Sequence, residues 1–248
     1  MRRFFSPRPL QGPEVTLEGQ VVRHLIQVLR MQPGDELELF DGRVCFLARL
    51  LEGTKKQARL ALLHPLEKQP ASPLRTHLGQ AISKGDRMDW VVQKATELGV
   101  SEITPLYTRQ GDVRLKGERE EKKLQHWQQV AISACEQCGR GDLPQIHPPR
   151  NLATWLAERQ EQRRYLLHPE GFSATAGLQG ASPGRVALLV GPEGGLAADE
   201  VDLALEQGFT GLTLGPRILR TETAPLVLLS LLQDRWGDLA TPDLPTST

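Results

Sequence analysis

The sequence predicts an α/β protein in two parts: a small β-rich barrel, then a larger domain of strands and helices alternating around a parallel sheet. Three observations predict it. Gln69-Pro70-Ala71-Ser72-Pro73 carries two prolines in five residues without apolar periodicity, which reads as a linker. Before it, short alternating runs are separated by tight-turn residues. After it, continuous apolar runs such as 186–190 alternate with helical patterns, as strands buried on both faces require. The expected domains are 1–70 and 74–239, followed by a frayed tail over 240–248, where Pro242 and Pro245 stand.

In the first part, Val15 and Leu17 mark a strand end, and Val21, Val22, Leu25, Ile26 and Leu29 recur at helical spacing. Pro33-Gly34-Asp35 is a turn. Leu37 and Leu39 alternate toward Phe40, Asp41-Gly42 is a hairpin signal, and 44–51 and 57–63 are further strands. In the second part, 74–82 is a strand and 86–98 a helix stopped by Gly99. Residues 103–107 form a strand, and 118–138 a long helix with Leu124, Trp127, Ile132 and Cys135 toward one face. A helix over 152–158 precedes the short buried strands 165–167 and 186–190. Then come a helix over 199–207 closed by Gly208, and a strand over 212–214. The last helix is expected over 221–236. Thr221 would cap it, and Pro225 falls in a first turn that can spare an N–H.

A chain of 248 residues can bury a core without disulfide or metal staples. Its 39% hydrophobic and 24% charged residues exclude a mostly disordered chain. The longest apolar run, 224–232, is too short for a bilayer and contains Pro225 and Ser230. Pro7 and Pro9 stand where a signal peptide would need an apolar stretch. Three cysteines fit a reducing compartment. A soluble cytoplasmic protein with no membrane partner is expected. Thirty basic and thirty acidic side chains cancel overall, but not locally. Residues 1–70 carry 11 basic against 8 acidic, 71–150 carry 12 against 10, and 151–248 carry 7 against 12. A polyanion would be held by the first 150 residues. A solvated surface explains so modest an excess equally well.

Four junctions and one cysteine pair could carry chemistry. Val190-Gly191-Pro192-Glu193-Gly194-Gly195 follows a buried strand, where glycines let backbone N–H groups approach a ligand. A tight structural turn is the competing reading. It is neither a P-loop nor G-x-G-x-x-G, which disfavours a dinucleotide oxidoreductase. In Leu214-Gly215-Pro216-Arg217-Ile218-Leu219-Arg220-Thr221-Glu222-Thr223-Ala224, charged and hydroxyl residues crowd a strand-to-helix junction, where open α/β folds place ligands. Capping explains Thr221 and Glu222 but not Arg220, a cation misplaced at a helix start unless it serves an anion. His168, after Leu166-Leu167, is a candidate base or a structural histidine. Lys84, Arg87 and Lys94 bring three cations to one end and side of a helix, a phosphate grip or a solvated face. Cys135 and Cys138 have no second pair to complete a zinc site, so they read as buried small residues, and no metal is expected.

Four motifs occur here in the order of one family: Lys94-Ala95-Thr96-Glu97-Leu98-Gly99-Val100, Ala134-Cys135-Glu136-Gln137-Cys138-Gly139-Arg140, Gly191-Pro192-Glu193-Gly194-Gly195, and Leu214 through Thr223. From about Arg2 to about Leu239 the chain resembles the ribosomal small-subunit RNA methyltransferase E family, which methylates N3 of a uridine in 16S rRNA. The resemblance implies a PUA-like RNA-binding barrel, a SPOUT methyltransferase domain with a trefoil knot in the last third, a homodimer, and S-adenosylmethionine as cofactor. It implies cofactor-binding residues Leu167, His168 and Pro169, then Gly191 and Gly195, then Leu214, Gly215, Ile218, Leu219, Thr223 and Ala224. Backbone groups of Gly191, Leu214 and Leu219 are expected to read the adenine. Arg220 is expected to clamp the uracil carbonyls, and Glu222 to orient it or take the N3 proton, with Glu193 a weaker base. Arg3, Arg30, Lys84, Arg87 and Lys94 are the RNA phosphate candidates. Two departures are visible. Ala197 stands where many members carry a capping Ser or Thr, and Cys138 where a small residue, often Ser, is usual. The alternatives are a knotted methyltransferase acting on another nucleotide, such as a ribose 2′-OH in tRNA, and a non-catalytic RNA-binding module.

Overall fold

The computed structural model describes residues 1–239, so the tail expected over 240–248 lies outside the described residues. Two compact units emerge: 1–71 with 132–143, and 72–131 with 144 onward. The first division falls within the Pro-rich segment. The sequence reading left 132–143 with the second domain, whereas here Cys135 and Leu143 pack with Phe40, Cys45, Phe5 and Leu66. Glu136 accepts the backbone N–H of Phe5 at 3.0 Å.

The first unit is a five-stranded sheet. Its strands are β1 (Arg3–Phe5), β2 (Glu14–Glu18), β3 (Glu36–Phe40), β4 (Cys45–Gly53) and β5 (Gln57–Leu66), in the order β1-β3-β4-β5-β2. β1 runs parallel to β3, and the other pairs are antiparallel. Period-two alternation buries Val15, Leu17, Leu37, Leu39, Ala48, Leu50, Ala58 and Leu60 in one cluster. The expected helix is present but unusual. α1 (Gln20–Val22) passes into a π-helical segment, Arg23–Val28, where Leu29 N–H reaches back to His24. Arg30 ends it in the left-handed region, at φ 53°.

The second unit is a parallel sheet with helices on both faces. Its strands are β6 (Arg75–Ala81), β7 (Glu102–Tyr107), β8 (Gln145–Ile146), β9 (Arg150–Asn151), β10 (Arg163–Ser173), β11 (Arg185–Val190) and β12 (Thr210–Thr213). The order is β12-β10-β11-β6-β7-β8, with β9 also on β7. The helices are α2 (Arg87–Glu97), α3 (Glu118–Cys138), α4 (Leu152–Ala157), α5 (Ala174–Gly177), α6 (Ala198–Glu206) and α7 (Ala224–Trp236). β11 shows why its run is wholly apolar. Val186, Leu188 and Val190 join the core formed with α2, α7 and Trp127 of α3. Ala187 and Leu189 join Trp155, Leu156 and Ala204 of α4 and α6 on the other face. Trp127 is 1% exposed, and full burial of such a ring is worth roughly 3–5 kcal/mol against truncation.

Two sequence expectations near the strand ends change. β10 does not stop at 167. It continues to Ser173 with a register break, Leu167 and Phe172 both pairing with Leu212, so residues 168–171 bulge out of the ladder. α7 starts at Ala224 rather than Thr221, with Pro225 in its first turn, and residues 221–223 form a separate turn bonded to the Arg220 carbonyl. β1, β8, β9 and α5 escaped the sequence reading because two to four residues carry no measurable period.

Candidate active site at the carboxyl ends of the sheet

The β10 bulge and the segment after β12 enclose a cavity of about 220 Å³. Leu167, His168, Pro169, Leu214, Gly215, Ile218, Leu219 and Ala224, all named as candidates from the sequence, line it. Leu212, Thr213, Pro216 and Arg217 also line it, and that reading missed them. Their signal was position alone, since they share one continuous segment with the predicted residues. Gly191, Gly195 and Thr223 are not among the lining residues. The walls are mostly apolar, with His168 and Arg217 as charged or titratable side chains. His168 Nδ1 accepts the Glu170 N–H at 3.2 Å, which turns the bulge back on itself. Gly215 sits at φ 96°, and a Cβ there would meet nothing within 4 Å, so its role is conformational freedom rather than room.

Gly191 connects to this region through Thr221. The Thr221 hydroxyl donates to the Gly191 carbonyl at 2.6 Å and accepts from Gln80 Nε2 at 3.0 Å. Thr221 is therefore not a helix cap. It is a buried hydroxyl spent on holding two segments 30 residues apart. Thr221→Val should leave the Gly191 carbonyl without its donor and Gln80 Nε2 with only the Ala81 carbonyl, costing about 1–3 kcal/mol, while Thr221→Ser should restore most of it. Urea midpoints of the three proteins measure this directly.

The 191–195 loop is fixed from its other side as well. Glu193 pairs with Arg87 at the start of α2. At the start of α6, Glu200 accepts the Ala197 N–H at 3.0 Å and the Arg109 N–H at 2.7 Å, and Asp199 pairs with Arg109. The missing cap at Ala197 thus costs only one half of the reciprocal capping pair.

Arg220 and Glu222 lie beside the cavity segment. The Arg220 side chain is 81% exposed, with Nη1 3.9 Å from Glu222 Oε1, while Glu222 is 16% exposed. Arg220 is thus an extended guanidinium with one distant protein partner, close enough to be steered and loose enough to reach a ligand.

The five phosphate candidates separate. Arg30 is exposed. Lys84 is exposed and pairs with Asp112 at 2.5 Å. Arg87 holds Glu193, and Lys94 holds Glu97 at 2.8 Å and lies 5.3 Å from the Trp90 ring centre. Arg3 is a correction. Its side chain is 8% exposed, bonds Glu38 and the carbonyls of Cys135 and Arg140, and stacks on Phe40, so a phosphate cannot reach it. Cys45, Cys135 and Cys138 are free thiols. Burial pushes the Cys135 thiol up to about 12, and it donates to the Asp142 carbonyl at 3.5 Å. No helix among the described residues is long and apolar enough to cross a membrane.

Residues 70–233 match an RNA methyltransferase domain family, and 17–63 an RNA methyltransferase PUA domain. Ribosomal RNA small subunit methyltransferase E of Buchnera aphidicola (subspecies Schizaphis graminum) is 35% identical over 91% of this chain and 92% of its own length. The Bacillus subtilis protein of the same name is 29% identical over 94% and 96%. Among solved structures, ribosomal RNA small subunit methyltransferase E from Neisseria gonorrhoeae, bound to S-adenosyl methionine, superposes with a TM-score of 0.89 at 41% identity, over 96% of this chain and 99% of that one. A Legionella pneumophila protein solved with the cofactor SAM reaches a TM-score of 0.91 at 40% identity, with the same coverage.

Proposed function

Because this chain belongs to the ribosomal RNA small subunit methyltransferase E family, we propose that it moves the methyl group of S-adenosylmethionine to N3 of a uridine in 16S rRNA of the small subunit. At the coarser level it is an S-adenosylmethionine-dependent RNA methyltransferase with an N-terminal PUA domain. One observation carries the finer reading: an extended, nearly unpaired guanidinium, Arg220, beside a mostly apolar cavity at the strand ends.

The residues present fit the cofactor. Apolar walls from Leu167, Leu212, Leu214, Leu219 and Ala224, rimmed by backbone of the 213–218 segment, suit a nucleoside that needs stacking surface and a few directed hydrogen bonds. Leu214 and Leu219 would hold the adenine edge, and the bulge at His168 and Pro169 would close over it. Gly191 supports the site through Thr221 rather than from the wall. Bound S-adenosylmethionine supplies an electrophilic methyl, and the electron pair of the broken S–C bond leaves with sulfur.

Uridine N3 has no free in-plane lone pair until its proton leaves, and the negative charge then spreads onto O2 and O4. Arg220 donates to those carbonyls as the charge grows, which favours deprotonation and methylation together. Glu222, 3.9 Å away, orients the guanidinium or takes the N3 proton. Glu193 is the weaker base because Arg87 already occupies it. Alignment of N3, methyl and sulfur contributes the rest.

The reading includes a homodimer working in the cytoplasm on the assembled subunit, and a trefoil knot in the last third. Of the phosphate candidates, Arg30 and Lys84 are the most available. Arg30→Gln or Lys84→Gln should each flatten the salt dependence of RNA binding by about one unit of log–log slope, and Arg3→Gln should not. Mass mapping of methyl groups on 16S rRNA, after incubation of small subunits with enzyme and labelled cofactor, tests the whole reading. A single N3-methyluridine is expected. A ribose methyl or no transfer would establish one of the alternatives.

A further inference from the structure

A second polar cavity, of about 210 Å³, opens among the amino-terminal halves of the strands, on the face that α4 covers. Parallel pairing sets His77 of β6 opposite Glu102 of β7, and β8 delivers His147 one residue beyond its end. His147 Nε2 is 2.9 Å from Glu102 Oε2, and His77 Nδ1 is 3.7 Å from the same oxygen. The three ligand atoms lie within 4.8 Å of one another. Glu161, 6% exposed, places Oε1 3.6 Å from His77 Nδ1. We propose that His77, Glu102 and His147, with Glu161 as fourth donor, form a binding site for a divalent transition-metal cation of the zinc class.

The chemistry favours it on three counts. Donors around zinc bond at about 2.0–2.2 Å, so neighbouring donors stand roughly 3–4 Å apart, and the His147–Glu102, His77–Glu102 and His77–Glu161 separations of 2.9, 3.7 and 3.6 Å are of that size. Two imidazoles and two carboxylates are a borderline-soft set suited to zinc rather than to magnesium or calcium. His77 is also oriented as a ligand. Its Nε2 is held by the Thr104 hydroxyl at 2.8 Å and the Trp155 indole N–H at 3.3 Å, which fixes the ring and turns Nδ1 toward the carboxylates.

A cation already stands in this position. Arg159 Nη1 is 2.5 Å from His77 Nδ1 and 3.1 Å from Glu161 Oε1. Its guanidinium would have to yield to a bound ion. It has another destination, because Nη2 lies 3.8 Å from Glu158, and its Nε is tethered to the Trp155 carbonyl at 3.0 Å. Arg159 is therefore a placeholder whose charge keeps the metal-free cluster neutralised. The four ligands stand at 77, 102, 147 and 161, a spacing no sequence motif announces, and the expectation of no metal set His126 and His147 aside on spacing alone.

The test is calorimetric titration of zinc chloride into the chelator-treated full-length protein, with cobalt(II) absorption as a second readout. One-to-one binding is expected. His147→Ala and the near-isosteric Glu102→Gln should each weaken it roughly tenfold or more. Arg159→Met should tighten it, and Cys138→Ser should leave it unchanged. Melting temperatures of the metal-free variants show whether each is folded, and Glu102→Gln keeps the test decisive if His147→Ala is not. The proposal is overturned if the wild-type protein shows no stoichiometric binding, or if folded Glu102→Gln binds as tightly as wild type. In the latter case the cluster is an ion-pair network only.

Discussion

Arg220→Ala should lower the single-turnover rate of methyl transfer by roughly 10²–10³-fold, with cofactor affinity and melting temperature nearly unchanged. The structure makes this separation sharp. The Arg220 side chain is 81% exposed and its one acidic neighbour is 3.9 Å away, so little folding energy depends on it. Its value lies in a planar fork that two carbonyl oxygens can share. Arg220→Lys should recover little, because an ammonium offers a point charge without the fork. A purely structural arginine would behave otherwise, losing stability and cofactor affinity together. Rate, affinity and melting temperature measured on one preparation distinguish the two. A normal rate in Arg220→Ala, or a rate loss matched by lost cofactor affinity, would remove the catalytic assignment.

Gly171→Ala should do the reverse: cofactor affinity should fall about tenfold or more, with a loss of about 1–3 kcal/mol in stability. A Cβ on Gly171 would stand 2.5 Å from the backbone carbon of Gly211 and the backbone nitrogen of Leu212. Neither can rotate away, as a side chain could. β10 and β12 would have to separate at the bulge, and Leu212 is a wall of the cavity. Chemical denaturation and calorimetry with S-adenosylmethionine check both parts. Wild-type affinity in this variant would show that the bulge is not part of the cofactor site.

Much of the second unit was legible because its signals are local. A β-strand between two helical layers must be apolar on both faces, and 186–190 reads so without knowledge of its neighbours. Glycine after a helical run, as at Gly99 and Gly208, requires only that the chain turn into the left-handed region, and both residues do. The clustering of His168, Gly215 and Ile218 was legible for a related reason. In a parallel sheet every strand points the same way, so segments that follow strands gather at one end whatever their order.

The sequence by itself thus determined the two-part α/β plan, the residues at the strand ends, and, through four motifs in order, the family. The tertiary structure alone decided which polar groups meet. It turned Thr221 from a cap into a tie to Gly191, buried Arg3 against Glu38 and Phe40, and carried β10 past its apolar stretch into a bulge. It also gathered His77, Glu102, His147 and Glu161 in one cavity. Helical and strand periods are set by a residue's near neighbours, and the chain displays them in any stretch of ten. A hydrogen bond between residues 30 or 141 positions apart depends on sheet order and register, which are settled by the packing of the whole core.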